Sequence, residues 1–380
     1  MKLGFSAYNV GPFKMLRQIA NEAAWYGHDT TLTSLRPDGE EQLEDALNRS
    51  AERLRSCDAV ILGVSNAVDA ETAVARRLHE EMPLFVVEDY PGNALMDPAA
   101  KGTAPFHVAV FPAMPGKEDA YRAFGFPESV YVGPPPHWET DKNAYEQARG
   151  LRRNGGVRKV RDGDERTITA EDAVIYVPGA KTIETEAALL RQLLEQFHDR
   201  LDRTVFHYRP HPGEAGSEKW RGKREEYDAL LASIRGELGD AWTIANDELR
   251  SPAEQALRDT ADARSHGVAD VSVTGPGATA INWLGLLGHN TVVSMDLVMR
   301  GESLSAYEDS PGVRGLGAVA RNLGQVRDAV RGLLHDPAVR EALRIRQQAY
   351  AGSETCSIDW NTAPKILEAI QKRTKNNHSH

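Results

Sequence analysis

Short apolar segments alternate with amphipathic segments along most of the chain, and this alternation constrains the fold more than any other feature of the sequence. Apolar runs such as DAVILGVS and LFVVEDY have the length of strands, and the segments between such runs have helical periodicity. Strands that alternate with helices predict parallel sheets covered on both faces. The pattern is interrupted near the middle and resumes at DAVIYVPG, so the sequence predicts an α/β protein with two Rossmann-like domains.

The interruption sets the predicted domain boundaries. A chain of 380 residues is long enough for two domains. We predict an N-terminal domain over residues 1–140 and a C-terminal domain over 172–355, with the charged, glycine-bearing segment 141–171 as a linker or exposed excursion. A C-terminal helix is expected over 356–372, and the polar segment 373–380 is expected to be a disordered tail.

The charge and the cysteines limit the classes of partner and compartment. The formal net charge of −10 and a pI near 5.7 disfavour a broad nucleic-acid surface, because such surfaces need clustered positive charge. The basic segment 151–161 lacks interleaved aromatic residues, so we interpret it as solvated rather than as a nucleic-acid patch. Cys57 and Cys356 lack paired spacing, which predicts reduced thiols. Without a signal-peptide pattern or an apolar run of roughly 20 residues, we expect a cytoplasmic protein with no membrane span.

The sequence gives little support for a metal site or for a catalytic serine nucleophile. Asp162 and Asp164 in RDGDER have a spacing that can hold a divalent cation, but no apolar strand precedes them. A solvated charge run is the favoured interpretation, so no metal site is predicted. The G-x-S-x-G pattern of a nucleophile elbow is absent from the sequence.

Three loops of the second half follow predicted strands and could together surround one anion, because carboxyl ends of parallel strands are where such sites form. In RPHP, the two prolines restrict the backbone, so Arg209 and His211 lose little conformational freedom when a ligand binds. A guanidinium and an imidazole held in this way favour binding of a phosphate. In VTGPGATAIN, glycines admit a ligand close to the N–H groups of a helix start. The open alternatives are a plain connecting turn and an ion pair between Arg209 and Glu214. The selected residues of the three loops are Lys181, Thr182, Arg209, His211, Gly275, Gly277, Ala278 and Thr279.

The two Rossmann-like halves, the segment after YVGPPP, the RPHP loop and the glycine-rich turn resemble the GT-B superfamily of nucleotide-sugar glycosyltransferases, which includes the UDP-N-acetylglucosamine 2-epimerases. The resemblance covers nearly the whole chain. It implies that the two sheets face a central cleft, that the C-terminal domain binds a nucleotide-sugar donor, and that neither a metal ion nor another cofactor is needed. Family members commonly hold the ribose with a glutamate after the glycine-rich turn. Asn282 is at the nearest position here, and an amide can hydrogen-bond a hydroxyl without charge.

The resemblance also implies that the N-terminal domain supplies the acceptor side and the catalytic base. Asp89 is the first choice as general base, because a carboxylate at a strand end can reach an acceptor hydroxyl; it could instead begin a turn. Glu88 and His137 are the alternatives. The acceptor-side residues that follow strands are Asn9, Gly11, Lys14 and Asn66.

The predicted function is a metal-independent glycosyltransferase that moves a sugar from a nucleotide donor to an acceptor. A nucleotide-sugar 2-epimerase of the same fold and a noncatalytic nucleotide-binding scaffold are the alternatives. The sequence does not identify the nucleobase, the sugar, the acceptor or the oligomeric state.

Overall fold

The computed structural model describes most of the chain, and the described residues form two compact units. The first unit comprises Met1–Glu139 and Ser357–His380, and the second unit comprises Thr140–Cys356. Each unit has its own sheet and its own hydrophobic core. The described residues are 1–38, 40–64, 69–96, 101–116, 118–161, 164–178, 183–197, 203–209, 229, 232–233, 236, 242–244, 260–276, 278, 280–298, 304–308, 310–351 and 359–377.

The first unit contains a five-stranded parallel sheet with the strand order β2-β1-β3-β4-β5. The strands are β1 (Lys2–Ala7), β2 (Asp29–Ser34), β3 (Ala59–Leu62), β4 (Leu84–Val87) and β5 (His107–Phe111). The helices are α1 (Val10–Trp25), α2 (Leu43–Leu54), α3 (Ala70–Leu78), α4 (Asn93–Met96) and α5 (Glu118–Phe124), with a 3₁₀ turn at Ala104–Phe106.

Alternate residues of β3 show how this sheet is covered on both faces. Ile61 lies in a core shared with Leu16 and Ile19 of α1. Val60 and Leu62 lie in a second core that contains apolar residues of α2 and α3. A strand buried on both faces reads as a continuous apolar run, which is why AVIL lacks any polar alternation.

The C-terminal helix, α12 (Thr362–Asn377), belongs to the first unit and packs against α1. Ile366 and Ile370 are buried in the core beneath α1. The helix extends beyond the predicted end at residue 372 and through part of the predicted tail. The continuation has a physical cause, because Thr374 is buried and donates to the carbonyl of Ile370, 2.9 Å away.

The second unit contains an eight-stranded sheet with the order β13-β12-β11-β8-β9-β10-β6-β7. The strands from β13 to β10 are parallel to one another, whereas β6 pairs antiparallel with both β10 and β7. The strands are β6 (Val157–Arg161), β7 (Asp164–Ile168), β8 (Ala173–Pro178), β9 (Thr204–Arg209), β10 (Trp242–Ile244), β11 (Val271–Thr274), β12 (Thr291–Ser294) and β13 (Ala318–Ala320).

Helices of the second unit pack on both faces of its sheet. Ile175 and Val177 of β8 lie in the largest core, and Val174 and Tyr176 lie in a smaller core on the other face. The helices are α6 (Pro136–Arg153, of which residues 136–139 belong to the first unit), α7 (Ile183–Phe197), α8 (Ala261–Val268), α9 (Ala280–Leu286), α10 (Leu323–His335) and α11 (Pro337–Ala351), with a 3₁₀ turn at Leu304–Tyr307 and a π turn at Gly312–Leu316.

The segment 141–171, expected as a linker or excursion, is instead part of the second unit. It contains most of α6 and the β6–β7 hairpin, which extends the sheet. The buried face of α6 carries Tyr145, Ala148 and Arg152, so a charged residue occupies one position of the apolar stripe. Because of this arginine, the apolar periodicity of α6 was not recognised in the sequence. Among the described residues, no helix is long and apolar enough to cross a membrane.

Candidate functional site

Asp89 follows β4 at the carboxyl edge of the first sheet, and its surroundings suit a general base. Its Oδ1 accepts a hydrogen bond of 2.8 Å from the amide of Asn93. Its Oδ2 lies against Gly11 in the first turn of α1, where an added Cβ would be only 2.7 Å from that oxygen. The side chain is partly exposed, and burial raises its pKa to about 7 against the lowering effect of Asn93. The carboxyl group can therefore hold or release a proton near neutral pH.

The loop between β1 and α1 is fixed opposite Asp89 by contacts with α3 and with the end of β3. The backbone N–H of Tyr8 donates to Glu71 Oε1 at 2.7 Å. A Cβ on Gly63 would be 2.6 Å from Cβ of Pro12, so only glycine allows the helix start to pack this closely. Asn9 accepts from Phe13 through its carbonyl oxygen rather than capping with its side chain. Sequence reasoning missed Glu71, whose first-turn position on α3 was the available signal.

Lys14 and His137 lie near the same turn of α1. Lys14 follows Gly11 by three residues, which places both on one helix face. Burial, and then the positive charge of Lys14, lower the pKa of His137 to about 3. The Nδ1 atom of His137 is buried and has no hydrogen-bond partner within the described part of the chain. A neutral imidazole of such low pKa is a weaker base than Asp89, so the structure favours Asp89 over His137.

Glu88, the alternative base expected from the sequence, lies in a buried hydrogen-bond network. The residue is 1% exposed, and its carboxylate accepts hydrogen bonds from the backbone N–H groups of Gly92, Ala94 and Ala113. The hydroxyl of Tyr121 donates a further bond of 2.6 Å. Burial raises the pKa of Glu88 and these bonds oppose the rise. The carboxylate organises the loops after β4 and β5, and it lacks the exposure that a substrate would need.

Arg209 is the last residue of β9 and lies at the carboxyl edge of the second sheet, where it forms an ion pair with Asp262 of α8. Its Nη1 is 3.7 Å from Asp262 Oδ1, and its side chain is 12% exposed. Tyr176 donates to the same oxygen at 2.6 Å, and His266 Nε2 lies 3.5 Å from the other. Burial alone would raise the pKa of Asp262, but His266, Arg209 and Tyr176 together hold it well below its usual range. Asp262 is therefore an anion that positions the strand-end guanidinium.

The glycine-rich turn after β11 is explained in part by packing. A Cβ on Gly275 would be 2.7 Å from the backbone oxygen of Leu297, so the glycine permits a close contact between two loops of the unit. The N–H of Ala278 donates to the carbonyl of Gly275 at 3.2 Å. Asn282 is 1% exposed, and its Nδ2 has no partner in the described regions. The side chain of Asn282 is enclosed within the unit, and its role as a ribose contact stays a prediction.

Several predicted site residues lie outside the described residues. These are Asn66, Lys181, Thr182, His211, Gly277 and Thr279, together with Glu214, the proposed partner of Arg209, and Asp162 of the RDGDER motif. In the described ranges, no group of three or more His, Cys, Asp and Glu side chains could hold a metal ion.

Nearly the whole chain is similar in structure to several solved proteins. A putative UDP-N-acetylglucosamine 2-epimerase from Listeria monocytogenes matches with a TM-score of 0.61 and 12% identity over 99% of this chain and 97% of that one. MnaA of S. aureus, solved with UDP, gives 0.59 and 10% over 98% and 96%. Acinetobacter baumannii MurG gives 0.54 and 13% over 98% and 100%. The chain has the GT-B fold. No family model matches the sequence, and no curated protein does.

The GT-B similarity confirms two predictions made from the sequence. The predicted α/β class with two Rossmann-like domains is correct, and so is the resemblance to the group that contains GT-B glycosyltransferases and UDP-N-acetylglucosamine 2-epimerases. Each unit offers one candidate functional cluster at the carboxyl edge of its sheet. The first contains Asp89 and Gly11, and the second contains Arg209 with Asp262.

Proposed function

We propose that this protein is a GT-B enzyme that uses a nucleotide sugar, and that it transfers the sugar to an acceptor hydroxyl. The observation that carries the proposal is the environment of Asp89, a partly exposed carboxyl group whose pKa burial raises to about 7. Such a group can take a proton from a hydroxyl at neutral pH. The first-unit residues Asn9, Gly11 and Lys14, at the start of α1, are the proposed acceptor-side contacts.

The proposed transfer joins the acceptor oxygen to the anomeric carbon of the donor sugar. As that bond forms, the bond from the anomeric carbon to the phosphate oxygen breaks, and the nucleotide leaves with the bonding electrons. Asp89 receives the acceptor proton. Arg209, with His211 as a proposed second contact, offsets the charge that develops on the leaving phosphate. A guanidinium in this role is the reason for proposing that neither a metal ion nor another cofactor is required.

A nucleotide-sugar 2-epimerase is the second candidate, because two of the similar structures are UDP-N-acetylglucosamine 2-epimerases, one of them putative. Besides the Listeria monocytogenes protein, the UDP-GlcNAc 2-epimerase of Methanocaldococcus jannaschii matches with a TM-score of 0.57 and 12% identity over 93% of this chain and 100% of that one. An epimerase also needs a base near neutral pH, a role that Asp89 could fill by removing a carbon-bound proton of the sugar.

Donor binding is tested first, by thermal unfolding with UDP, GDP, CDP, CMP, ADP and TDP. A nucleotide that binds the folded state stabilises it by about 2.7 kcal/mol at a hundredfold excess over Kd. We expect one nucleotide to raise the Tm, and we expect Arg209→Ala and His211→Ala each to weaken that effect. Arg122→Ala, which removes an exposed charge in the first unit, is the control and should leave the shift unchanged. The absence of any shift, confirmed by calorimetry, would contradict the proposal.

Turnover then separates the two enzymatic candidates. The nucleotide sugar of the base found above is incubated with the protein, with and without a panel of hydroxyl acceptors, and followed by NMR. A glycosylated product that forms only with an acceptor supports the transferase. Inversion at the sugar C2 without an acceptor supports the epimerase. Binding without turnover in either arm would identify a nucleotide-binding scaffold.

A further inference from the structure

Helix α6 carries two exposed arginines, Arg149 and Arg153, that pair with no carboxylate among the described residues. They are four residues apart and therefore lie on one face of the helix. With Arg152 they line a cavity of about 180 Å³, whose other walls include Asp270 and Asn290. The cavity lies where β8, β11 and β12 begin, at the amino edge of the second sheet.

Asp270 does not neutralise these two arginines, because Arg152 already occupies it. The two terminal nitrogens of Arg152 donate to Oδ1 and Oδ2 of Asp270 at 3.0 and 2.9 Å. Arg152 also donates to the carbonyls of Thr169, Val268 and Asp172, and its side chain is 8% exposed. The Arg152–Asp270 ion pair has no net charge and links α6 to the loop before β11. The positive charge of Arg149 and Arg153 is therefore left over in the cavity, in a chain whose net charge is −10.

The guanidinium of Arg149 is held in place by a buried hydrogen-bond chain. Its Nη1 donates to the hydroxyl of Tyr145 at 2.8 Å, and that hydroxyl is 3.1 Å from His289 Nδ1. His289 Nε2 is 2.9 Å from the hydroxyl of Ser272, which is 2.8 Å from His266 Nδ1. A guanidinium has five N–H donors, so this contact fixes the group and leaves the others for a ligand. Fixing the group beforehand reduces the entropy that binding must cost.

The positive charges of Arg149 and Arg153 both act on the Tyr145 hydroxyl. Burial raises the pKa of Tyr145, the charges of Arg149 and Arg153 lower it, and the charge of Glu146, which is paired with Lys142, raises it. The two arginines also line the same cavity. Two cationic forks beside one cavity match a tetrahedral oxyanion that carries two negative charges better than they match a monovalent carboxylate.

We propose that Arg149 and Arg153 form a binding site for a phosphate group, either free phosphate or the phosphate end of a monoester. The site is separate from Arg209, which lies at the carboxyl end of β9 on the opposite edge of the same sheet. It does not rest on the proposed function. The basic segment 151–161 thus has two roles, since Arg152 fastens α6 to the sheet while Arg153 faces the cavity.

Isothermal titration calorimetry of the full chain tests the site with inorganic phosphate and with glycerol 3-phosphate, at constant ionic strength against chloride and acetate. We expect the doubly substituted variant Arg149→Ala/Arg153→Ala to lose at least about tenfold in phosphate affinity. The charge-matched variant Arg122→Ala/Arg344→Ala removes two exposed, ion-paired arginines and should bind as the native protein does. Tighter binding of glycerol 3-phosphate than of phosphate would identify the monoester as the ligand.

Arg153→Ala alone covers the case in which loss of the Arg149 contact to Tyr145 disturbs folding. Arg153 makes no hydrogen bond to the described residues, so this variant should fold normally and still lose several-fold in affinity. The proposal is overturned if phosphate binds no better than chloride, or if the arginine variants bind phosphate as the native protein does. It is also overturned if Arg209→Ala alone abolishes binding, because the anion would then occupy the candidate donor site.

Discussion

Glu88 and Asp89 are neighbours in the chain, yet their carboxyl groups have different surroundings. Glu88 points into the loops after β4 and β5, where three backbone N–H groups and a tyrosine hydroxyl use its oxygens. Asp89 points toward the start of α1, with one oxygen bonded to Asn93 and the other against Gly11. Burial raises the pKa of both. Only Asp89 keeps the partial exposure that proton exchange with a substrate requires.

The pH dependence of turnover follows from Asp89 as the base. The base must be ionised to accept a proton, so kcat/KM should rise with pH and level off above the pKa of about 7. Asp89→Asn should lower the rate by about 100-fold to 10,000-fold and remove that rising limb. The measurement is a kcat/KM profile from pH 5 to 9 for both proteins. A variant that retains the native profile would exclude Asp89 as the base.

Asp89 should also make stability depend on pH, with a sign that is fixed by linkage. Its pKa is raised from 3.8 to about 7 on folding, so between these values the folded state binds a proton that the unfolded chain has lost. The contribution is therefore present below pH 4 and is lost as the pH rises through 7. Asp89→Asn lacks this loss, so its stability should gain on the native protein between pH 4 and 8. Urea unfolding at both pH values measures the difference, and an equal difference at both would contradict the burial of the carboxyl group.

Glu88 should matter for stability, because its removal leaves buried donors without an acceptor. Glu88→Ala should reduce the free energy of unfolding by about 3–5 kcal/mol, since each buried unsatisfied donor costs about 1–3 kcal/mol. The exposed Glu368→Ala on α12 is the control and should change it by less than about 0.5 kcal/mol. Urea denaturation provides the comparison. Similar values for the two variants would mean that the Glu88 contacts contribute little.

At the scale of elements, α6 and the glycine-rich turn show how a polar sequence can hide a packed element. The buried face of α6 includes Arg152, whose charge is balanced by Asp270 on the loop before β11. That partner lies more than a hundred residues away in the chain, so the sequence of the helix was interpreted as part of a charged linker. Gly275 suggested a ligand loop from its position alone, but its missing side chain accommodates Leu297.

Two glycine substitutions compare a packed loop with an open helix. Gly275→Ala would place a Cβ 2.7 Å from the carbonyl oxygen of Leu297, and backbone cannot move as a side chain can. We expect a loss of about 1–3 kcal/mol in the free energy of unfolding. Gly150, within α6, has nothing within 4 Å of an added Cβ, so Gly150→Ala should stabilise by about 0.5–1 kcal/mol. Thermal unfolding of both variants gives the sign, and a stabilised Gly275→Ala would refute the packing explanation.

At the scale of the whole molecule, the chain forms two units, and the first unit contains both the N-terminal and the C-terminal segments of the chain. The sheet of the first unit is formed by residues before 112, yet α12 begins at Thr362 and contributes to the same core. Folding of the first unit therefore includes a contact across most of the chain. The second unit, Thr140–Cys356, lies entirely between these two segments.

Substitution in α12 should weaken the first unit selectively. Ile370 is fully buried beside α1, and Ile370→Ala should cost about 2–5 kcal/mol because it leaves a cavity. Lys372→Ala, on the exposed side of α12, is the control. Hydrogen exchange should speed up in β1, β3 and α1, while β8 and β9 keep native protection. An equal loss of protection in the strands of the second unit would contradict the assignment of α12 to the first unit alone.

The sequence by itself determined the α/β class, the two Rossmann-like domains and the strand ends at which Asp89 and Arg209 lie. These features depend on local periodicity, which a linear sequence displays directly. Only the tertiary structure decided that Asp262 pairs with Arg209 and that Asn282 is buried. It also decided that the carboxylate oxygens of Glu88 accept hydrogen bonds from buried donors. Those outcomes depend on burial and on partners distant in the chain. A single sequence displays the residue types for such contacts but not which of them meet.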